Sequence, residues 1–147
     1  MSNATGYLLD TSILVHLIRG DQTGKHVDAK FGLRENLLIC AISVVTVGEI
    51  LSIAMRRKWA DSKTKILEKL LDRLLQIDIN DRDILEAYAA VDNFSLEHKY
   101  NMGKNDIWIA ATAKATGYTL LTNDKDFQHL NDSHIKCIYI NPDKAGG

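Results

Sequence analysis

The chain predicts a three-layer α/β domain, a central parallel sheet of about five strands flanked by helices. Three observations carry that prediction. Short continuous apolar runs, such as Leu37–Ile42 and Thr119–Thr122, have strand length without alternation, as strands buried on both faces do. Amphipathic stretches of helical length lie between them, and parallel strands need crossovers of that kind. Asp10, Ser43 and Asn123-Asp124 stand where such runs end, the chemistry of helix caps and of the ligand-binding edge of an open sheet.

In chain order, Tyr7-Leu8-Leu9 is a short strand running into Asp10, with Thr11 and Ser12 opening a helix. Ser12–Arg19 puts Ile13, Leu14, Leu17 and Ile18 on one face, and Gly20 ends it. Lys25–Glu35 is a weaker helix with a partial stripe of Val27, Phe31 and Leu33. After the strand Leu37–Ile42, Ser43 caps a helix over Val44–Arg57, whose closing run Arg56-Arg57-Lys58 suits the negative end of the helix dipole. Asp61–Leu75 is amphipathic through Ile66, Leu67, Leu70, Leu71, Leu74 and Leu75. Ile77 and Ile79 around Asp78 predict an edge strand. Asp81 caps a helix over Arg82–His98 with a stripe of Leu85, Tyr88, Ala89 and Val91. Tyr100–Lys104 is a loop, Asn105 caps a helix through Ala115, and Gly117 stops it. Thr119–Thr122 is a buried strand, Asp124–Leu130 a short helix and Lys136–Ile140 the last strand. Which strand neighbours which is not legible from one sequence.

Composition narrows the class. A chain of 147 residues, 46% hydrophobic and 25% charged, predicts a single domain, 1–147, with its core in about 6–140 and neither disorder nor a fibre. The net charge of −1 gives no global attraction for nucleic acid, so any such binding needs a local patch or metal ions. The apolar runs are too short to span a bilayer and no signal peptide opens the chain. Cys40 and Cys137 lie in apolar runs and make no disulfide framework. These features predict a soluble cytoplasmic protein, in which Met1–Thr5 is a small, polar stretch.

Acids in apolar company are the functional signal. Glu49 lies on a helix among Val44, Val45, Val47, Ile50, Leu51 and Ile53, and Glu is rarely buried unless paired. A local capping box with Thr46 is the structural alternative. Asp106 leads into Ile107-Trp108-Ile109-Ala110-Ala111. A first-turn acid is stabilised by the helix dipole alone, but so apolar a helix belongs in the core and takes Asp106 with it. Asp10 and Asp124 each follow a buried strand. If those strands are parallel and flank a switch point, both carboxylates face one crevice. Clustered like charges destabilise a fold unless something offsets them, and Mg²⁺ or Mn²⁺, which prefer oxygen ligands, do so. Zinc is disfavoured: His16, His26, His98, His129 and His134 show neither an i, i+4 helical pair nor Cys–His spacing. Ser12 has no Gly-x-Ser-x-Gly elbow and Cys40 sits inside a strand, so nucleophilic catalysis is weakly supported.

LLDTSILV, then SVVTVGEIL, then GKNDIWIAATAKATGYTLLTNDKDF together resemble the PIN-domain nucleases, and in particular the VapC-type toxins of bacterial toxin–antitoxin pairs. The resemblance runs from Tyr7 to about Ile140. It implies a PIN-like fold and Mg²⁺- or Mn²⁺-dependent cleavage of RNA by a metal-activated water, with growth or translation inhibited until a cognate VapB-like antitoxin binds. It also implies a homodimer and an acidic site of Asp10, Glu49, Asp106 and Asp124, with Asp126 as the alternative to Asp124. In that site Asp10 and Asp106 hold the metal in the main. Thr11, Ser12, Thr122 and Asn123 match polar positions that orient ligands or water. For substrate grip the candidate cations are Arg19, Arg56, Arg57, Lys58, Lys99, Lys104 and Lys125, with Lys104 and Lys125 best placed beside the acids. Trp59 is read equally as a core anchor or as part of a protein-binding patch.

A housekeeping PIN nuclease for RNA processing is the nearest alternative. From another class, a Mg²⁺-binding receiver-like signalling domain also clusters acids at a sheet edge. Receivers resemble one another in an acidic pair after the first strand and a lysine ending the last, whereas here Leu9 precedes Asp10 and the last strand ends Ile140-Asn141. A haloacid-dehalogenase-type phosphatase wants a second Asp where Ser12 stands.

Overall fold

The computed structural model describes residues 6–33, 35 and 40–142. Its strands are β1 (Tyr7–Leu9), β2 (Cys40–Ser43), β3 (Leu75–Ile77), β4 (Thr119–Thr122) and β5 (Lys136–Tyr139). The helices are α1 (Thr11–Arg19), α2 (Gln22–Phe31), α3 (Val44–Arg56), α4 (Asp61–Arg73), α5 (Arg82–Glu97) and α6 (Lys104–Thr116), with a 3-10 helix over Lys125–Leu130. The strands form one sheet in the order β3-β2-β1-β4-β5, and every neighbouring pair is parallel.

Alternation along the central strands sorts the helices into two layers. Leu9, Ile42 and Leu121 point into a core with Ile13, Leu14 and Leu17 of α1, Val27 of α2, Ile50 of α3 and Leu67 and Leu70 of α4. Their neighbours Leu8, Ala41 and Leu120 point the other way, onto Val91 of α5, Ile107, Ile109 and Ala110 of α6, and Phe127 and Leu130 of the 3-10 helix. Both faces of the sheet are therefore covered, which is why these strands read as unbroken apolar runs. α1 and α2 approach so closely that a Cβ on Gly24 would overlap the His16 carbonyl.

Several elements differ from expectation. α2 begins three residues before Lys25 because Asp21 caps it, accepting the Gly24 N–H at 2.9 Å. It ends at Phe31, where Gly32 turns left-handed (φ 63°). The strand expected over Leu37–Ile42 is seen from Cys40, and Leu37–Ile39 fall outside the described residues. α4 ends at Arg73 and β3 comes early, at Leu75–Ile77 rather than Ile77–Ile79. Leu74 turns extended (φ −80°, ψ 142°) because pairing Leu75 with Ala41 and Ile77 with Ser43 outweighs the helical periodicity. β3 is an edge strand, as expected. On α5 the buried face is Ile84, Ala87, Val91 and Ser95, whereas Leu85 is exposed. Ile66 and Leu75 of the α4 stripe are exposed too. Trp59 packs against the α1–α4 core, with Lys63 Nζ over its ring at 4.4 Å.

Candidate active site

β1 and β4 are neighbours, with β2 and β3 leading off one side and β5 off the other. The chain reverses its direction of progress between them, and at such a switch point a crevice opens beyond the carboxyl ends of the strands. Asp10 sits there. Its N–H extends the ladder to the Leu121 carbonyl at 3.0 Å, while its extended backbone caps α1. Oδ1 accepts from the Thr11 N–H at 2.8 Å. Oδ2 accepts the Thr122 hydroxyl at 2.5 Å and lies 3.4 Å from Ser12 Oγ. Only 5% of Asp10 is exposed. Burial raises its pKa above the usual carboxylate range. The Thr122 and Thr11 hydrogen bonds oppose that rise, and the charges of Glu49 and Asp124 add to it. Helix cap and cleft acid are therefore one carboxylate, not competing readings.

Glu49 reaches the same cleft from α3. Ser43 is the true cap of that helix, accepting the Val45 N–H at 3.1 Å, so Glu49 forms no capping box with Thr46. Glu49 Oε1 accepts the Thr11 hydroxyl at 2.6 Å, and that hydroxyl lies 3.3 Å from Thr46 Oγ1. Oε2 accepts from the Asn105 amide at 3.3 Å. Asn105 is not the cap of α6: Gly103 holds that place and offers no side chain. Asn105 instead spends its amide across the cleft on Glu49, a role invisible to local pattern because an Asn before an Asp reads as a cap. Beyond Glu49 a groove of about 530 Å³ follows α3 past Gly48 and Ser52 to Arg56.

Asp106 is half-buried in the first turn of α6. The residues behind it, Ile107 and Ile109–Ala113, are buried, as expected of a core helix. Burial first, and then the charges of Asp10, Asp124, Glu49 and Asp126, push its pKa up to about 7. Asp124 caps the 3-10 helix through the Asp126 N–H at 2.9 Å, and its own N–H donates to Thr122 Oγ1 at 2.9 Å. The Thr122 hydroxyl thereby ties the loops of Asp10 and Asp124 together. One carboxylate oxygen each from Asp106, Asp124 and Asp126 lies within 4.8 Å of the others. Asp10 and Glu49 stand outside that tight group yet raise the pKa of Asp106.

Among the described residues no lysine or arginine pairs with any of these five acids. The uncompensated charge and all-oxygen donors fit a hard divalent cation of the Mg²⁺ type. Lys104 and Lys125 are exposed and begin α6 and the 3-10 helix, and Lys125 Nζ lies 5.8 Å from the Tyr139 ring centroid. The Ser12 hydroxyl accepts the Asn123 N–H at 3.3 Å. The Asn123 amide nitrogen donates to the Ile140 carbonyl at 2.7 Å, while its Oδ1 is buried and has no partner among the described residues. Among the described residues no helix is long and apolar enough to cross a membrane.

The PIN domain family model matches residues 7–132. Ribonuclease VapC4 of Mycobacterium tuberculosis is 31% identical over 99 residues, 66% of this chain and 75% of its own. Ribonuclease VapC1 of Rickettsia felis is 30% identical over 139 residues, 90% of this chain and 96% of its own. Among solved structures, VapBC2 from Rickettsia felis bound to a DNA fragment from their promoter aligns with a TM-score of 0.75 and 25% identity, over 92% of this chain and 98% of that one.

Proposed function

Since this chain belongs to the PIN domain family, we propose that it is a metal-dependent endoribonuclease, working as one PIN domain and acting as the toxin of a toxin–antitoxin pair. The observation that carries this reading is the convergence of acids from four separate segments on one cleft. Burial, and then their mutual repulsion, push the pKa of Asp106 up to about 7. A bound divalent cation offsets such repulsion and keeps the carboxylates ionised together. The names of the relatives, ribonucleases of the VapC type, support RNA as the substrate.

Asp10, Glu49, Asp106 and Asp124 are the proposed catalytic and metal-holding residues. Asp126, in the tight group with Asp106 and Asp124, stands beside Asp124 for the fourth place. Mg²⁺ or Mn²⁺ held there would supply charge neutralisation at a phosphodiester and, by lowering the pKa of water, a hydroxide nucleophile near neutral pH. The protein's own part is positional. Thr122 and the Thr11 N–H hold Asp10, and Thr11 and Asn105 hold Glu49 from either side. These bonds fix the carboxylates before substrate arrives, so little reorganisation remains to be done. Lys104 and Lys125 meet RNA phosphates at the rim, and Ser12 and Asn123 complete the polar lining of the substrate path.

The complex of the Rickettsia felis VapBC2 proteins supports a VapB-like antitoxin as the partner. We propose a cytoplasmic homodimer neutralised by it. Pure protein incubated with total RNA tests the activity. New RNA ends should form with Mg²⁺ or Mn²⁺ and cease in EDTA, and undiminished cleavage in EDTA would refute the metal-dependent reading. Growth arrest on expression, relieved by a co-expressed neighbouring antitoxin, separates a toxin from a housekeeping nuclease.

A further inference from the structure

α5 ends in a Schellman turn whose left-handed position is filled by a lysine. The Tyr100 N–H donates to the Ser95 carbonyl at 2.8 Å and the Lys99 N–H to Leu96 at 3.1 Å, with Lys99 at φ 62°. Glycine is the usual residue there, and a side chain in that conformation is strained by about 1 kcal/mol or more. The turn throws Tyr100 onto His129: their rings stack 3.9 Å apart at 11°. His129 is fixed from behind, its Nε2 2.9 Å from the hydroxyl of buried Ser95, and the Phe94 ring lies nearly parallel (5°) at 6.3 Å. One face of Tyr100 is thus covered, yet 48% of the residue remains exposed.

Both stacked residues stand on the segments that carry the acids. Tyr100 lies in the short connection leading to Lys104 and Asp106 of α6. His129 lies three residues after Asp126 on the 3-10 helix, where positions i and i+3 eclipse and stand about 6 Å apart. Lys99 and Lys104, both exposed, flank the tyrosine in sequence. A held, half-exposed aromatic ring on the segments that carry the acids is what a splayed nucleobase stacks on.

Building on the ribonuclease reading, we propose that Tyr100, backed by His129, is the stacking platform for an unpaired base of the RNA next to the phosphate held at the acidic cleft. The platform selects single-stranded substrate, because a base paired in a duplex cannot leave its neighbours to reach it. Stacking is tolerant of base identity, so it sets strandedness and register rather than sequence. Ser95 acts through His129 as a positioning residue.

Binding of a short fluorescein-labelled oligoadenylate, read by anisotropy with Ca²⁺ in place of Mg²⁺, tests this. Tyr100→Ala should weaken binding by roughly 5- to 100-fold, and Tyr100→Phe, which keeps the ring, by no more than about twofold. An oligoadenylate with one abasic sugar, moved along the strand, should bind wild type more weakly at a single position and show no such loss with Tyr100→Ala. That measurement on wild type needs no variant to fold. Equal affinity of wild type and Tyr100→Ala for the intact oligomer overturns the platform and leaves the nuclease standing. A well-folded wild type that binds no oligoadenylate yet cuts total RNA overturns the platform alone, and one that neither binds nor cuts RNA overturns both. A Tyr100→Ala protein of altered oligomeric mass and unaltered RNA affinity makes the patch a protein seam and overturns the platform as well.

Discussion

Replacing Asp106 with Asn separates a cleft acid from a helix-start acid, because the two roles have opposite consequences for stability. The change is nearly isosteric and removes one negative charge from a cleft in which Asp10, Asp124, Glu49 and Asp126 all raise the pKa of Asp106. A carboxyl that titrates near 3.8 in the unfolded chain and at about 7 in the fold makes ionised, metal-free protein less stable by at most about 4 kcal/mol. The half-buried setting admits solvent, and about 1–2 kcal/mol is the screened value. The sign follows from proton counting. Between pH 3.8 and about 7 the folded state holds the proton that the unfolded state has lost, so this group's contribution to stability falls as pH rises and levels off above the folded pKa. In EDTA at pH 8, Asp106→Asn should therefore melt about 2–8 °C above wild type, with a smaller gap at pH 5. Excess Mg²⁺ should raise the wild-type melting temperature much more than the variant's, because a cation that binds only the folded state stabilises it. Ribonuclease activity of the variant should fall by orders of magnitude. Thermal melts at both pH values, with and without Mg²⁺, decide the matter. A variant about 0.5–1 kcal/mol less stable at both pH values, the usual worth of a charge near a helix N-terminus, together with full activity, would refute the site assignment.

Two further outcomes follow from the geometry. Thr122→Val removes the hydroxyl that donates to Asp10 and accepts from the Asp124 N–H. It should weaken Mg²⁺ binding, read as a higher Mg²⁺ concentration for half-maximal activity, and lower stability by about 1–2 kcal/mol. Gly24→Ala drives a methyl into the His16 backbone where α1 and α2 cross; it should destabilise by about 1–3 kcal/mol in urea melts while leaving the metal dependence of any remaining activity unchanged.

Much of the candidate site was legible from four acids because each occupies a position with a readable local cause. Asp10 and Asp124 end apolar strands, and Asp106 opens an apolar helix. Glu49 interrupts the apolar run of α3. Less legible were the residues that hold these acids. The hydroxyl of Thr122, 112 residues from Asp10 in sequence, was indicated by the family resemblance alone and the amide of Asn105, 56 from Glu49, by nothing, because both act across packed elements and leave no periodic trace. His129 reads as an ordinary histidine until Ser95 and Tyr100 are seen on either side of it. The edge near β3 was misread for a related reason: Leu74 and Leu75 satisfy a helical stripe, and only the vacant edge of β2 draws them into an extended conformation.

By itself the sequence determined the alternation of strand and helix, because a residue's period and its caps are properties of neighbours along the chain. It also determined that acids would end those strands. Only the tertiary structure decided the order β3-β2-β1-β4-β5, since strand order depends on which crossovers pack best on the two faces of the sheet. That order sets Asp10 beside Asp124 at a switch point and brings α3 and α6 against the same edge. Acids spread from residue 10 to residue 126 thereby become one electrostatic unit, because their mutual energy depends on distance in space and on burial, neither of which a linear pattern contains.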